Sequence, residues 1–121
     1  MCGIFGEIRR IETSKDRFQL QETMKLAMKS KHRGPDTTSD YFSTYRSYQM
    51  YFVFHRLAIN GLDEESNQPF RFEDVVLLCN GEIYNYKELS EEYSINLSTR
   101  SDCEIIVHLY KRLGIQCIRL L

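Results

Sequence analysis

The sequence has 121 residues, of which 42% are hydrophobic and 27% are charged, a composition typical of one folded domain rather than a disordered chain. Its formal net charge is −1, so charge favours neither nucleic acid nor an acidic membrane surface as a partner. We find no apolar run long enough to span a bilayer and no signal-peptide core at the N-terminus.

The first elements predicted along the chain are a strand and a helix. Residues 2–8 read as a short strand that begins at the terminus. A helix is predicted over residues 14–30, because Thr13 and Asp16 have the spacing of a capping box. One face of this helix would carry its apolar residues; these are Leu20, Met24, Ala27 and Met28.

A hairpin and a further strand follow. The runs 40–45 and 48–55 are rich in aromatic and β-branched residues, which predicts two strands joined by a turn near Ser47. Residues 56–73 are predicted to form a loop. Residues 74–79 read as a buried strand that leads straight into Asn80-Gly81.

Two shorter helices complete the predicted elements. Asn85 with Glu88 could cap a helix over residues 86–92. Ser101 with Glu104 has the spacing of a second capping box, which predicts another helix. Its apolar face would hold four side chains; these are Ile106, Leu109, Tyr110 and Leu113.

The end of the sequence looks unfinished. Gly114 is the predicted stop of the last helix. Residues 115–121 are then mostly apolar and end without a polar tail. We therefore expect more of the fold to follow residue 121.

The four cysteines show neither a CxxC pair nor the Cys/His spacing of a zinc site. Cys79 and Cys117 lie in apolar segments and are predicted to be small buried hydrophobes. Unpaired cysteines suit a reducing compartment, so we expect a cytoplasmic protein without a bound metal.

Cys2 is the most informative single position. A small second residue allows removal of the initiator methionine, which leaves a cysteine with a free α-amine. That amine has an unperturbed pKa of about 7.7–8.0, suited to a general base at neutral pH. Nucleophile and base then belong to one residue, and Gly3 would let a substrate approach the backbone. The alternative is a chance cysteine at position two.

Asn80-Gly81 has two interpretations. Asn-Gly is the commonest two-residue hairpin turn. It could instead present a side-chain amide and a backbone N–H to a developing oxyanion. The following residues, Glu82 to Asn85, lead into a predicted helix rather than a return strand, which disfavours the hairpin.

Two charged residues and two histidines are further candidates. Arg56 ends an aromatic strand and could bind a carboxylate through its guanidinium fork, although many such arginines are merely solvated. Asp102 could complement the dipole of the last helix or bind an ammonium group. His32 and His55 lack an i,i+4 partner of ligand type, so both are predicted to be structural.

Five motifs occur in an order that resembles a known family. They are Cys2-Gly3-Ile4-Phe5-Gly6, His32-Arg33-Gly34-Pro35-Asp36, Arg56-Leu57-Ala58-Ile59, Asn80-Gly81-Glu82-Ile83-Tyr84-Asn85 and Ser101-Asp102-Cys103-Glu104. Together they resemble the class II (N-terminal-nucleophile) glutamine amidotransferase domain over essentially the whole chain. The Arg-Gly-Pro-Asp and Arg-Leu-x-Ile forms look like glutamine-dependent asparagine synthetase rather than the relatives of purine or glucosamine synthesis.

The resemblance implies a role for each matching residue. Cys2 would attack the carboxamide of L-glutamine, and Asn80 with the Gly81 N–H would form the oxyanion hole. Arg56 would bind the substrate α-carboxylate, and Asp102, with Glu82 nearby, its α-ammonium. Backbone groups of four residues would line the pocket; these are Leu57, Ala58, Ile59 and Asn60. Arg56 and Asp102 together favour an α-amino acid over the amide of a free-standing hydrolase.

The resemblance also implies an α+β fold, the αββα sandwich of the Ntn hydrolases, here incomplete on its C-terminal side. Residues 1–121 would be the N-terminal portion of that domain. The glutaminase half-reaction needs no cofactor. ATP and magnesium belong to a synthetase domain, and no Gly-rich phosphate loop occurs here. A synthetase domain or chain would receive the ammonia, with no nucleic acid or membrane partner. The alternative is a truncated, non-catalytic remnant or a partner-binding module.

Overall fold

The computed structural model describes residues 2–17, 19–59 and 63–121 and has a mixed α+β architecture. No helix among these residues is long and apolar enough to cross a membrane. The chain divides into two compact units, Met1–Leu57 and Ala58–Leu121, called here the first and the second unit. Their regular elements are β1 (Gly3–Arg10), α1 (Leu20–Ala27), β2 (Thr37–Tyr45), β3 (Tyr48–Arg56), β4 (Phe70–Phe72), β5 (Val75–Leu77), α2 (Tyr86–Glu92) and α3 (Glu104–Leu113).

The first unit contains a three-stranded antiparallel sheet in the order β1-β3-β2. At one end of the ladder Gly3 pairs with His55 and Thr37 pairs with Arg56. At the other end Tyr45 pairs with Tyr48 across a turn in which Arg46 has a φ of 53°. The predicted strands are confirmed, and β2 starts three residues earlier than the sequence indicated.

The predicted helix 14–30 is broken. The Thr13–Asp16 capping box is present, but it caps a single 3-10 turn, Ser14–Asp16. The α-helix begins only at Leu20 and continues into a 3-10 segment, Met28–Arg33. Residue 18 lies outside the described residues.

The buried face of α1 also differs from the prediction. Thr23 and Ala27 are buried, whereas the other three side chains of the predicted apolar face are exposed; these are Leu20, Met24 and Met28. Ala27 packs with Tyr51 and Val53 of β3. Its carbonyl accepts a hydrogen bond from the His55 ring at 2.9 Å, and such a close approach of helix to strand favours small side chains.

The second unit begins with a short hairpin that the sequence did not predict. β4 pairs with β5, from Phe70 opposite Leu77 to Phe72 opposite Val75. Glu73 in the intervening turn has a φ of 52°. The predicted loop 56–73 is therefore wrong at both ends, since Arg56 belongs to β3 and β4 lies inside it. The strand predicted over 74–79 is three residues long and half-buried.

The two helices of the second unit lie where the sequence placed them, but their predicted caps are absent. α2 has the predicted bounds, yet the Asn85 side chain makes no cap and donates to the Leu120 carbonyl at 2.7 Å. α3 ends at Gly114, whose φ of 60° confirms the predicted stop.

The Ser101–Glu104 capping box is wrong for a specific reason. The Glu104 carboxylate instead accepts hydrogen bonds at 2.6–2.8 Å from the N–H and hydroxyl groups of Ser98 and Thr99. Burial alone would raise the pKa of Glu104, but these four donors outweigh it and lower that pKa to about 2. Glu104 therefore fastens the preceding loop to the start of α3.

The apolar face of α3 is rotated relative to the prediction. Ile105, Val107 and Leu109 are buried, whereas Tyr110 and Leu113 are exposed. Ile105 and Leu109 pack with the buried Cys117, which lies in a 3-10 segment, Gly114–Arg119. This return of the chain determines which side of the helix is covered.

The predicted burial of the cysteines holds for one of the two. Cys117 is buried, and that burial raises the pKa of its thiol. Cys79 is only half-buried. The neighbouring Cys103 side chain lowers the pKa of the Cys79 thiol, against the effect of burial.

Candidate active site

Cys2 stands directly before β1, at the end of the first unit's sheet where the ladder finishes. Its Sγ lies 3.4 Å from the Leu57 N–H and 3.7 Å from the Leu57 carbonyl. Gly3 pairs with His55, and continuing that register places Cys2 opposite Arg56. The sheet thus brings three of the predicted site residues together. Met1 lies outside the described residues.

The His32-Arg33-Gly34 segment supports the backbone of Cys2. Arg33 Nε donates to the Cys2 carbonyl at 3.3 Å. Gly34 lies so close to β3 that a Cβ there would be 2.0 Å from the His55 carbonyl oxygen. Only glycine fits this close contact, which explains why the motif has glycine at position 34. Arg33 supports Cys2 through its own hydrogen bond, a role that the sequence interpretation missed.

His55 occupies a structural position, as predicted, and His32 lies at the surface. His55 is fully buried, with Nε2 2.9 Å from the Ala27 carbonyl and Nδ1 2.9 Å from the Thr38 hydroxyl. In the neutral ring Nε2–H therefore donates to Ala27 and Nδ1 accepts from Thr38. His32 is exposed and its Nδ1 lies 3.0 Å from the Lys29 carbonyl.

Gly3 has a structural reason besides the one expected. A Cβ at this position would lie 2.8 Å from the Ser30 carbonyl oxygen and 3.3 Å from the His55 side chain. The missing side chain therefore accommodates the end of the 3-10 segment and the buried imidazole. Close approach of a substrate is not needed to explain it.

Arg56 ends β3 and is 7% exposed, so it is not the solvated arginine of the alternative interpretation. A buried guanidinium is tolerated only where polar groups surround it. Leu57 and Ala58 are half-buried and Ile59 is exposed. Asn60, the last of the predicted pocket-lining residues, lies outside the described residues.

Asn80-Gly81 is not a hairpin turn. β5 ends at Leu77 and pairs with β4, which precedes it in the chain. After Asn80 the chain runs through an exposed segment into α2. Among the described residues, a Cβ on Gly81 would meet only the Cys79 sulfur, at 4.0 Å, so this part of the structure leaves room for a side chain at position 81.

Asp102 is directly bonded to the segment that follows Asn80-Gly81. Its Oδ2 accepts the Ile83 N–H at 2.6 Å, and the neighbouring Cys103 thiol donates to the Gly81 carbonyl at 3.6 Å. Asp102 is therefore more than a charge near the helix dipole: it joins the start of α3 to the Asn80–Ile83 segment. The exposed Glu82 accepts from the Tyr84 hydroxyl, which raises the pKa of Tyr84.

Gln68 is the second supporting residue that the sequence interpretation missed. Its side-chain amide bonds both backbone groups of Cys79, the residue before Asn80. The sequence contained one signal, the polar Asn67-Gln68-Pro69 run in an otherwise predicted loop. Nothing in that run indicates a partner eleven residues away.

Comparison with known proteins gives this chain a family context. All of it, residues 1–121, matches the glutamine amidotransferase domain family. It is 37% identical over 118 residues to glutamine-hydrolysing asparagine synthetase 2 of Bacillus subtilis, covering 95% of this chain and 15% of that protein. It is 38% identical over 126 residues to asparagine synthetase 2 of Arabidopsis thaliana, also glutamine-hydrolysing, covering 100% of this chain and 20% of that protein.

A third similar protein is also an asparagine synthetase. The glutamine-hydrolysing asparagine synthetase of Zea mays is 35% identical over 125 residues, covering 100% of this chain and 20% of that protein. The chain spans between 15% and 25% of the length of the curated relatives it matches.

Proposed function

This chain belongs to the glutamine amidotransferase domain family, and from that membership we propose that it hydrolyses L-glutamine to glutamate and ammonia with Cys2 as the nucleophile. The observation that supports the proposal most directly is the place of Cys2. Its thiol is held by the Leu57 backbone at the end of a buried strand, beside the buried Arg56.

The proposed reaction begins once Met1 has been removed. The Cys2 α-amine takes the thiol proton, and the sulfur attacks the carboxamide carbon. The oxyanion that forms accepts hydrogen bonds from the Asn80 amide and the Gly81 N–H. The protonated amine then gives its proton to the leaving nitrogen, so that ammonia departs and a thioester remains. Water, deprotonated by the same amine, hydrolyses the thioester to glutamate and restores Cys2.

The substrate is selected through its unreactive end. Arg56 pairs with the α-carboxylate through its guanidinium fork. Asp102 accepts from the α-ammonium, with Glu82 as a second negative charge. The remaining pocket residues contribute backbone groups; they are Leu57, Ala58, Ile59 and Asn60. An amide without both α-substituents would lack these interactions.

We further propose that residues 1–121 are the N-terminal portion of a class II domain with the αββα Ntn-hydrolase fold. The relatives named above are asparagine synthetases, so the ammonia is assigned to asparagine synthesis in a synthetase domain or chain. ATP and magnesium act only there. None of the four cysteines forms a disulfide within the described part of the chain, which agrees with a cytoplasmic location.

The test combines intact mass with glutamate release. We expect the purified protein to lack Met1 and to release glutamate. Cys2→Ala should lower that release by at least ~10³-fold, because the nucleophile is lost. Cys117→Ala removes a buried thiol elsewhere in the chain and should leave the activity unchanged. Activity that survives in Cys2→Ala, or with Met1 retained, would refute the mechanism. A correctly processed protein without activity would indicate the non-catalytic alternative.

A further inference from the structure

The backbone ladder of the second unit stops just before the proposed oxyanion residues. The β4–β5 pairing ends with Phe70 opposite Leu77. The residue before Phe70 is Pro69, which has no N–H to donate. Backbone pairing alone therefore does not extend to the chain that enters Asn80.

Beyond Pro69 in the same register, a side chain provides the hydrogen bonds that a strand backbone would otherwise provide. Gln68 falls opposite Cys79, and its Oε1 accepts the Cys79 N–H at 2.6 Å while its Nε2 donates to the Cys79 carbonyl at 3.1 Å. A primary amide carries the donor and the acceptor of a peptide group. Gln68 is 6% exposed, so water competes little for either bond. The backbone of Cys79 is thereby fixed one residue before Asn80.

The far side of the segment is fixed as well. Asp102 accepts the Ile83 N–H at 2.6 Å, and the Cys103 thiol donates to the Gly81 carbonyl at 3.6 Å. Residues 80–83 are thus held between an upstream anchor, Gln68, and a downstream pair at the start of α3. Of these anchors, Gln68 is the one that binds the residue directly before Asn80.

We propose that Gln68 is a positioning residue for the oxyanion donors Asn80 and Gly81, an inference that rests on the proposed glutaminase function. Oxyanion donors act only when they are held within about half an ångström of the developing charge. Gln68 itself touches neither the substrate nor the reacting atoms. Its loss should therefore raise the barrier of the chemical step and leave substrate binding intact.

The test uses Gln68→Met, which keeps the length of the side chain and removes both hydrogen bonds. We expect kcat for glutamate release to fall by roughly 10- to 100-fold, with KM changed by less than about 2-fold. Ser66→Ala is the matched control. Ser66 is also buried and lies two residues away, but its hydroxyl donates to Asp63, the cap of its own 3-10 turn. That variant should keep the parent's kcat.

A second measurement separates positioning of the oxyanion donors from general damage. Iodoacetamide alkylates a thiolate by displacement of iodide at a saturated carbon, so no oxyanion forms. The rate of Cys2 alkylation, followed on the N-terminal peptide by mass spectrometry, should be the same in Gln68→Met and in the parent. Where Gln68→Met does not fold, Gln68→Glu replaces it. This variant keeps an acceptor for the Cys79 N–H and loses the donor to the Cys79 carbonyl, so it should also lower kcat at constant KM.

Three results would overturn the assignment while leaving the glutaminase function in place. They are an unchanged kcat, a rise in KM alone, and an equal loss of alkylation and turnover, which would put the effect at the nucleophile. A parent protein that releases no glutamate would refute the proposed function, and the role of Gln68 with it.

Discussion

The two halves of the proposed catalytic machinery are held by different kinds of contact. In the first unit, Cys2 follows the register of a three-stranded sheet and is supported by backbone groups of Leu57. In the second unit, the Asn80–Ile83 segment lies outside any ladder. It is anchored by side chains, chiefly those of Gln68 and Asp102.

This difference predicts opposite sensitivities to mutation. In a segment fixed by contacts between backbones, the substitutions expected to destabilise most are those that add a side chain where none fits, as at Gly34. Where side chains hold backbone, the vulnerable positions are the bonding groups themselves, and a neighbouring glycine such as Gly81 is tolerant. Three substitutions examine the contrast, in decreasing order of expected effect.

The largest effect is expected for Gly34→Ala. The new Cβ would lie 2.0 Å from the His55 carbonyl oxygen and 2.3 Å from its carbon, so the backbone must move. We expect the free energy of unfolding to fall by about 3 kcal/mol or more. Gly81→Ala, whose Cβ meets only a sulfur at 4.0 Å, should change it by less than ~0.5 kcal/mol. Urea denaturation of both variants measures the contrast, and similar losses in the two would contradict it.

The sequence predicted the first unit's sheet well and the second unit's details poorly, for the same physical reason. β1, β2 and β3 are eight or nine residues long, so each has enough alternation and β-branched content to be recognised. β4 has three residues, too few for a pattern. Local sequence patterns therefore predict an element correctly when it is long enough to show the pattern several times.

Partners that the local spacing does not indicate explain the remaining errors. Ser101 and Glu104 have capping-box spacing, but Glu104 bonds Ser98 and Thr99 instead. The apolar faces of α1 and α3 are rotated because packing partners outside each helix, β3 for α1 and the segment around Cys117 for α3, decide which side is covered. The motifs indicated the candidate site residues. The two residues that support them, Arg33 and Gln68, could not be recognised from local spacing, because their hydrogen-bond partners lie 31 and 11 residues away.

An intermediate effect is expected for Glu104→Gln, which removes the charged acceptor of the four hydrogen bonds from Ser98 and Thr99 and of the contact with His108 Nε2 at 3.3 Å. We expect a loss of about 2 kcal/mol in the free energy of unfolding at neutral pH. Because the folded pKa is about 2, below the ordinary value of 4.5, the carboxylate's contribution is complete above about pH 4.5. It is lost as the pH falls towards 2.

The stability difference between the parent and Glu104→Gln should therefore shrink over that acidic range. The matched control is Glu88→Gln, an exposed glutamate on α2, which should change stability by less than ~0.5 kcal/mol. Urea denaturation at several pH values between 2 and 7 gives both quantities. A difference that stayed constant down to pH 2 would mean that Glu104 is not the titrating group.

The smallest effect, and the most selective, is expected for Asp102→Asn. The asparagine keeps an oxygen that can accept the Ile83 N–H, so the anchor and the stability should persist while the negative charge is lost. We expect KM for glutamine to rise roughly 10-fold, with little change in kcat. Glutaramate, which is glutamine without its α-amino group, provides the matched substrate. The parent should prefer glutamine because only glutamine presents an ammonium to Asp102, and Asp102→Asn should lose most of that preference. A variant that still discriminated between the two amides as strongly as the parent would show that Asp102 serves the backbone of Ile83 alone.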